Sequence, residues 1–293
     1  MSSGSSEPKK QAPVSGPVYR KGSSESQVKL APVNSPSEVK NPVLDSPAAV
    51  AGSWGSVSAV LYTIFMFLVG QFAAAILIVL CLVAKGWGSE RAANWISEDV
   101  VGQFSFILLA EVLTVAGIVW FLRRRRVPLA RIGWGWPRFG HLGTALLGFG
   151  VYFVGYIVFA TVISLLVPSL DLEQKQEIGF ESVSTSLELL LTGISLVILP
   201  PLAEEVLFRG FLFGGLRNQF RFLPAAVITS ILFGVGHLQF GSEAPLLWVA
   251  AIDTFVLSMV LCYIREKTGS LWPGIFIHAI KNGLAFSVLF LFK

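Results

Sequence analysis

Long apolar runs dominate the chain after Gly55. Seven of them reach or approach the ~20 residues that an α-helix needs to cross roughly 30 Å of hydrocarbon. They are residues 57–84, 102–122, 142–167, 187–216, 224–240, 245–264 and 271–292. We therefore predict an all-α fold, a polytopic helical membrane protein with about seven transmembrane helices.

The first 52 residues have a different character. They are rich in Ser, Pro, Gly and Lys and have no apolar period that could build a core, which is typical of disorder. We expect a disordered cytoplasmic tail, with a solvated tether favoured over weak attraction to an anionic leaflet. No basic and then apolar pattern occupies the first thirty residues, so a cleaved signal peptide is not expected.

Composition supports a membrane protein, and charge indicates its topology. The chain is 54% hydrophobic and 14% charged, with a mean hydropathy of +0.69, unlike an ordinary soluble domain. The pI is near 9.1, but the basic residues gather in short loops, so we predict no nucleic-acid partner. Loop 123–141 contains six arginines and no acidic residue, which places it in the cytoplasm. We expect an integral protein of a plasma or inner membrane with a cytoplasmic N-terminus.

Polar and ionisable residues interrupt the apolar runs of the last third. Inserting a charged side chain near the bilayer centre costs roughly 2.5–3.5 kcal/mol. Residues kept there despite this cost are candidates for function. They are Glu204, Glu205, Arg209, His237, His278 and Asn282. Both cysteines, Cys81 and Cys262, lie in apolar runs, so the sequence suggests no disulfide framework.

The run 187–216 is too long for a simple crossing and contains Pro200 and Pro201. A proline inside a helix removes a backbone hydrogen bond and clashes with the preceding turn. We therefore predict a kink or break immediately before Glu204. Irregular backbone at this depth is tolerated only inside protein or along a cavity, which indicates a site.

Helix depth brings the polar residues to one level. Glu204 and His237 lie at nearly equal distances from the turn at 217–223, so antiparallel helices would place them side by side. His278 and Asn282 follow the next turn on the same side and share a helical face. We predict one polar cavity that contains all four side chains and opens toward the cytoplasmic face.

Glu204 and Glu205 have different expected roles. Glu205 and Arg209 have i, i+4 spacing and can form an ion pair, which allows both charges to be buried. Glu204 points about 100° away and stays free for chemistry. We therefore predict Glu205 and Arg209 as a structural ion pair and Glu204 as the reactive carboxylate.

Three motifs in the last third resemble those of a known family. Glu204-Glu205-x-x-x-Arg209, Phe233-x-x-x-His237 and His278-x-x-x-Asn282 are similar, in type and order, to motifs of the CPBP family, the CAAX proteases and bacteriocin-processing enzymes. The resemblance implies an intramembrane endopeptidase in which Glu204 and His237 activate a water while His278 and Asn282 stabilise the oxyanion.

The resemblance also implies a division of the chain. We expect N-terminal transmembrane helices at 53–186 and a catalytic core at 187–293. Membrane lipids and a peptide or protein substrate, with an extended segment near the cytoplasmic face, are the expected partners. Relatives are connected with bacteriocin immunity, which is an analogy of function only.

A metal ion is the open alternative for the chemistry. Members of this family are often labelled metalloproteases, and Glu204, His237 and His278 would be the ligands of a divalent ion such as zinc. No HExxH motif is present, and asparagine is a poor zinc ligand. We therefore favour a metal-free water activated by Glu204 and His237, with no cofactor certain.

Two other functions remain possible from the sequence. One is a membrane scaffold of the same fold without proteolysis, and the other is a proton- or solute-coupled transporter, for which no internal repeat is found. Gln71, Glu111 and Asp253 also lie in apolar runs. We favour helix–helix hydrogen bonding over catalysis for these three.

Overall fold

A computed structural model describes residues 53–169, 178–238, 246 and 248–292. The predicted tail at 1–52 lies outside these residues. Within them the chain is helical, with no strand, so the predicted fold class is confirmed. The helices are α1 Ser56–Ala84, α2 Ser89–Glu98, α3 Val100–Arg124, α4 Phe139–Leu166, α5 Ser186–Arg217, α6 Phe222–Val235, α7 Trp248–Thr268 and α8 Trp272–Leu291.

Six of the described helices are long and apolar enough to cross a membrane: α1, α3, α4, α5, α7 and α8. They match six of the predicted runs. Helix α6 is shorter and ends at Val235, so the predicted extension of this run to residue 240 is wrong in the described part. Gly234 and Gly236 are poor helix formers, and His237 consequently lies in a turn just beyond the helix.

Helix α5 accommodates its two prolines without a break. Residues 199–204 are α-helical, and π-helical segments at Ile194–Ile198 and Glu205–Leu212 lie on either side. In a π-helix each carbonyl oxygen accepts a hydrogen bond from the N–H group five residues later, whereas in an α-helix the donor is four residues later. The predicted irregularity before Glu204 therefore takes the form of a change in helical winding, and π-helical segments are frequent at functional sites.

Aromatic packing places α5 in the centre of the bundle. The ring of Trp54 stacks on Phe211, with the centroids 5.2 Å apart, and the indole nitrogen donates to the Phe211 carbonyl oxygen at 3.0 Å. Phe121 of α3 meets Phe211 edge-on at 5.1 Å. In contrast, α1 and α4 expose large apolar side chains, such as Leu147 at 78%. Such surfaces suit contact with lipid.

The basic loops share one end of the bundle. Arg131 donates to Asn218, and Arg265 donates to the Arg131 carbonyl oxygen, each at 3.2 Å. At the opposite end, the backbone nitrogen of Phe180 donates to Gln103 at 2.9 Å. The turns that follow α3, α5 and α7 are therefore on the same side, as the distribution of positive charge requires. Which side faces the cytoplasm stays a prediction.

Candidate active site

Glu205 and Arg209 form a fully buried ion pair inside α5. Their carboxylate oxygen and guanidinium nitrogen lie 2.8 Å apart, with side-chain exposures of 1% and 0%. The guanidinium carbon also lies 4.2 Å from the centre of the Phe233 ring, close enough for a cation–π interaction. Each charge thus has a partner, as burial away from water demands. The structural role of this pair remains a prediction.

His278 lies between the two glutamates. Its Nε2 atom is 3.7 Å from Glu204 Oε2, and its Nδ1 atom is 3.8 Å from Glu205 Oε1. His278 is 2% exposed, whereas the Glu204 side chain keeps 17% of its surface accessible. The imidazole can therefore exchange a proton or share a water with Glu204. Of the two carboxylates, Glu205 is the one that forms the ion pair with Arg209.

Gly274 allows α8 to approach Glu205 this closely. A Cβ atom at Gly274 would lie 2.6 Å from Glu205 Oε2, a distance that non-bonded carbon and oxygen atoms do not tolerate. Gly274 precedes His278 by one helical turn, so both face α5. Gly274 was not among the predicted site residues, although a glycine four residues before a candidate catalytic histidine is a detectable pattern.

We expect Gly274→Ala to destabilise the protein by about 1–3 kcal/mol, because the added methyl group forces α8 away from Glu205. Gly283→Ala is the matched control on the same helix, since its Cβ would meet Val197 at an ordinary 3.5 Å. Thermal unfolding in detergent measures both variants. Equal melting temperatures for the two would contradict the close approach at Gly274.

The orientation of His237 is set by its own chain. Its Nδ1 atom lies 2.8 Å from the Phe233 carbonyl oxygen. A carbonyl oxygen can only accept, so Nδ1 carries the proton and Nε2 keeps a free lone pair. The ring of His237 also lies 4.6 Å from the Phe233 ring, which is 5.9 Å from the ring of His278.

Phe233 therefore has a role that the motif spacing did not reveal. Its ring is completely buried and contacts Arg209 as well as the two histidines. One aromatic side chain thus joins His237 to the cluster around Glu204. A water shared by Glu204 and His237 stays a prediction.

Asn282 makes a hydrogen bond that the prolines of α5 leave open. Its Nδ2 atom donates to the Leu196 carbonyl oxygen at 2.9 Å. The residues four and five positions after Leu196 are Pro200 and Pro201, and neither has an N–H group. Asn282 thus satisfies a carbonyl that neither an α- nor a π-helix could satisfy here. A primary amide carries a second N–H, so the predicted oxyanion role of Asn282 remains a prediction.

Two further carboxylates lie close to this cluster. Glu111 of α3 acts electrostatically on Glu204, and no motif spacing in the sequence connects these two residues. Asp253 of α7 accepts a hydrogen bond from Tyr152 and pairs with Lys281, which confirms the helix–helix bonding predicted for it. Lys281 itself was missed, although it lies between His278 and Asn282 in the third motif, because that motif does not specify the residue at this position.

The described residues do not fit a metal site. Among them, no three His, Cys, Asp or Glu side chains are near enough together to hold a metal ion. Glu204, His237 and His278 are thus not arranged as a ligand set in this conformation. Zinc is the alternative that the family resemblance leaves open, and no catalytic step is derived through it.

Comparison with known proteins places its matches on the same part of the chain. A family described as "Type II CAAX prenyl endopeptidase Rce1-like" matches residues 186–284. "Putative membrane peptidase YdiL" of Bacillus subtilis is 32% identical over 85 residues, which are 29% of this chain and 32% of that protein. The matched family segment contains all three motifs.

Two other relatives have no described activity in their names. "UPF0177 protein YxdF" of Lactococcus lactis is 25% identical over 137 residues, covering 45% of this chain and 72% of that protein. An "Uncharacterized 24.3 kDa protein" of Escherichia coli is 30% identical over 103 residues, 34% of this chain and 45% of that protein. This chain therefore spans about a third of the Bacillus relative and under half of the Escherichia one. No solved structure matches.

Proposed function

We propose that this chain is an intramembrane endopeptidase, because residues 186–284 match the family described as "Type II CAAX prenyl endopeptidase Rce1-like" and contain the three motifs that resemble those of the CPBP family. The reaction would be hydrolysis of a peptide bond by a water that Glu204 and His237 activate. The single observation that carries the proposal is the unequal environment of the two adjacent glutamates. Glu205 is ion-paired with Arg209, whereas Glu204 stays partly accessible and faces His278.

The proposed mechanism follows from these contacts. Glu204 accepts a proton from the water, and the water oxygen forms a bond to the carbonyl carbon of the peptide. The free Nε2 lone pair of His237 accepts the other hydrogen of the water in a hydrogen bond and orients it. The carbonyl oxygen becomes an oxyanion, and N–H groups of His278 and Asn282 stabilise it. The C–N bond then breaks, and the proton held by Glu204 passes to the leaving amine.

Burial supports this chemistry in physical terms. Hydrogen-bond donors act more strongly on a developing charge where water is excluded, and His278 is almost completely buried. Losing one such donor typically costs about 10²–10³-fold in kcat. The proposal therefore assigns a base to Glu204, an orienting role to His237 and oxyanion donors to His278 and Asn282, and the burial of His278 favours its part in this scheme.

The proposed substrate is an extended peptide segment at the membrane. Glu204 and His278 lie on the halves of α5 and α8 nearer the basic end of the bundle. Access from that end, or laterally from the bilayer, would bring a peptide to Glu204. With the positive-inside orientation this is the cytoplasmic side, and the N-terminus is cytoplasmic too.

The proposal predicts new protein termini that depend on Glu204. Membrane proteomes of cells with the wild type, with Glu204→Gln and with Glu90→Gln would be compared for peptide termini. Glu90→Gln is the matched control, because it makes the same chemical change at an exposed position of α2. We expect a set of termini with the wild type and the control that is absent with Glu204→Gln. Identical termini in all three strains would contradict proteolysis and favour a membrane scaffold.

A further inference from the structure

We propose that Tyr152, Asp253 and Lys281 form a polar network within the membrane that positions His278 against Glu204. The network connects α4, α7 and α8, and we call it the α4–α7–α8 network. Its consequence for catalysis rests on the proposed function. Its consequence for helix position does not, and it can be measured separately.

The contacts of the network are direct. Lys281 Nζ lies 2.7 Å from Asp253 Oδ2, and the Tyr152 hydroxyl donates to the other oxygen, Asp253 Oδ1. Tyr152 is 5% exposed, and the side chains of Asp253 and Lys281 are 17% and 23% exposed. In a bilayer both charges are costly without partners. Asp253 thus has a strong preference for one arrangement of the three helices.

The network holds α8 beside the proposed catalytic residues. Lys281 follows His278 by three residues, and Asn282 follows it by four. Adjacent residues on a helix point about 100° apart, so Lys281 reaches α7 while Asn282 reaches the Leu196 carbonyl of α5. Two polar contacts on different faces therefore fix the rotation of α8 at this level.

Apolar packing alone would not fix this rotation. Around the network, Ile277 and Leu257 are completely buried in the same apolar cluster. Gly148 of α4 leaves room for the Ile277 side chain, since a Cβ atom at Gly148 would lie 2.6 Å from Ile277 Cδ1. Apolar burial is non-directional, and lipid is as apolar as these side chains. A small rotation of α8 would keep most of this apolar surface buried but would move His278 away from Glu204. Misplacement of a reacting group by about 1 Å can cost about 10²-fold in rate.

The network also includes a helix outside the family segment. Tyr152 lies on α4, whereas the family match begins at residue 186. Helix α4 is thus connected to α7, and through Lys281 to α8, by specific polar contacts and not by apolar packing alone. These three residues are positioning residues, since none is placed at the reacting atoms.

A cross-linking experiment tests the position of α8 without any substrate. In a chain with Cys81→Ser and Cys262→Ala, the pair Val197→Cys and Gly283→Cys reports the contact of α8 with α5, because a Cβ at Gly283 lies 3.5 Å from Val197. We expect the rate of disulfide formation to fall by about tenfold with Asp253→Asn or Lys281→Met, as a buried pair is broken. Lys281→Arg, which can keep the pair, should restore the rate.

The control breaks a different ion pair on α7, the helix that carries Asp253. Glu266 pairs with Arg217 at 2.6 Å near the end of α7, and Glu266→Gln should leave the cross-linking rate unchanged. Tyr152→Phe removes only a hydroxyl, so it should fold and slow cross-linking by about two- to fivefold, the loss of one hydrogen bond. If Asp253→Asn and Tyr152→Phe both formed the disulfide at the same rate as the chain without these substitutions, the proposal would be overturned.

Turnover supplies the second measurement. With a peptide that carries a cleavage site identified from the new termini, Tyr152→Phe should lower kcat and leave KM unchanged, because positioning acts on the reaction step. If Tyr152→Phe slowed cross-linking but left kcat unchanged, the proposal that the network contributes to catalysis would be overturned. If the wild type cleaves nothing, the cross-linking rates still decide the positioning proposal, so the two failures are distinguishable.

Discussion

Glu204→Gln is expected to lower peptide cleavage by about 10²–10⁴-fold, the usual contribution of a general base. Glutamine has nearly the same shape but cannot accept the proton of the attacking water. Because Glu204 is partly accessible and is not the partner of Arg209, the variant should still accumulate in the membrane. The measurement is single-turnover cleavage by purified protein in detergent or vesicles.

His237→Ala should have an effect of similar size, since it removes the lone pair that orients the water. Glu266→Gln, a neutralised glutamate at the basic end of α7, serves as the control and should keep its activity. If Glu204→Gln retained more than about a tenth of wild-type turnover, Glu204 would not be the base. The scaffold function would then gain support.

Arg209→Ala is expected to have the largest effect on stability. It leaves the Glu205 carboxylate buried without its cation, a change that typically costs about 3–5 kcal/mol. The guanidinium also lies over the Phe233 ring, so the substitution opens a gap beside both histidines. We expect poor accumulation in the membrane and a lower unfolding temperature.

A second variant separates charge from packing. Glu205→Gln combined with Arg209→Met removes both charges at similar volume and should fold better than Arg209→Ala alone, because no buried charge is left unpaired. Arg221→Ala is the control, as Arg221 is exposed at the start of α6. A fully stable but inactive Arg209→Ala would show instead that Arg209 belongs to the catalytic machinery.

Much of the candidate site was predictable because its residues break a strong pattern. A glutamate or histidine inside an apolar run is rare and costly, so Glu204 and His278 are visible without any structure. The i, i+4 spacing of Glu205 and Arg209 likewise predicts their contact, and the structure shows it. These are local properties, which sequence spacing expresses directly.

Other features depend on contacts between distant segments. The roles of Gly274, Lys281 and the Asn282 bond to Leu196 could not be predicted from local spacing, because each depends on a helix far away in the chain. Equal depth placed His278 at the level of Glu204 but did not show that its ring lies between two carboxylates. Depth along a helix is counted in residues, whereas rotation about its axis depends on its neighbours.

The sequence by itself determined the membrane class, six of the long helices and the level at which Glu204 and His278 lie. Those follow from the length of apolar runs and from the rise per residue of a helix. Only the tertiary structure decided which faces meet, how α5 is wound around its prolines and what Asp253 and Lys281 do. The reason is that apolar surfaces have no preferred direction in lipid, so a few polar contacts and one close approach at a glycine set the arrangement.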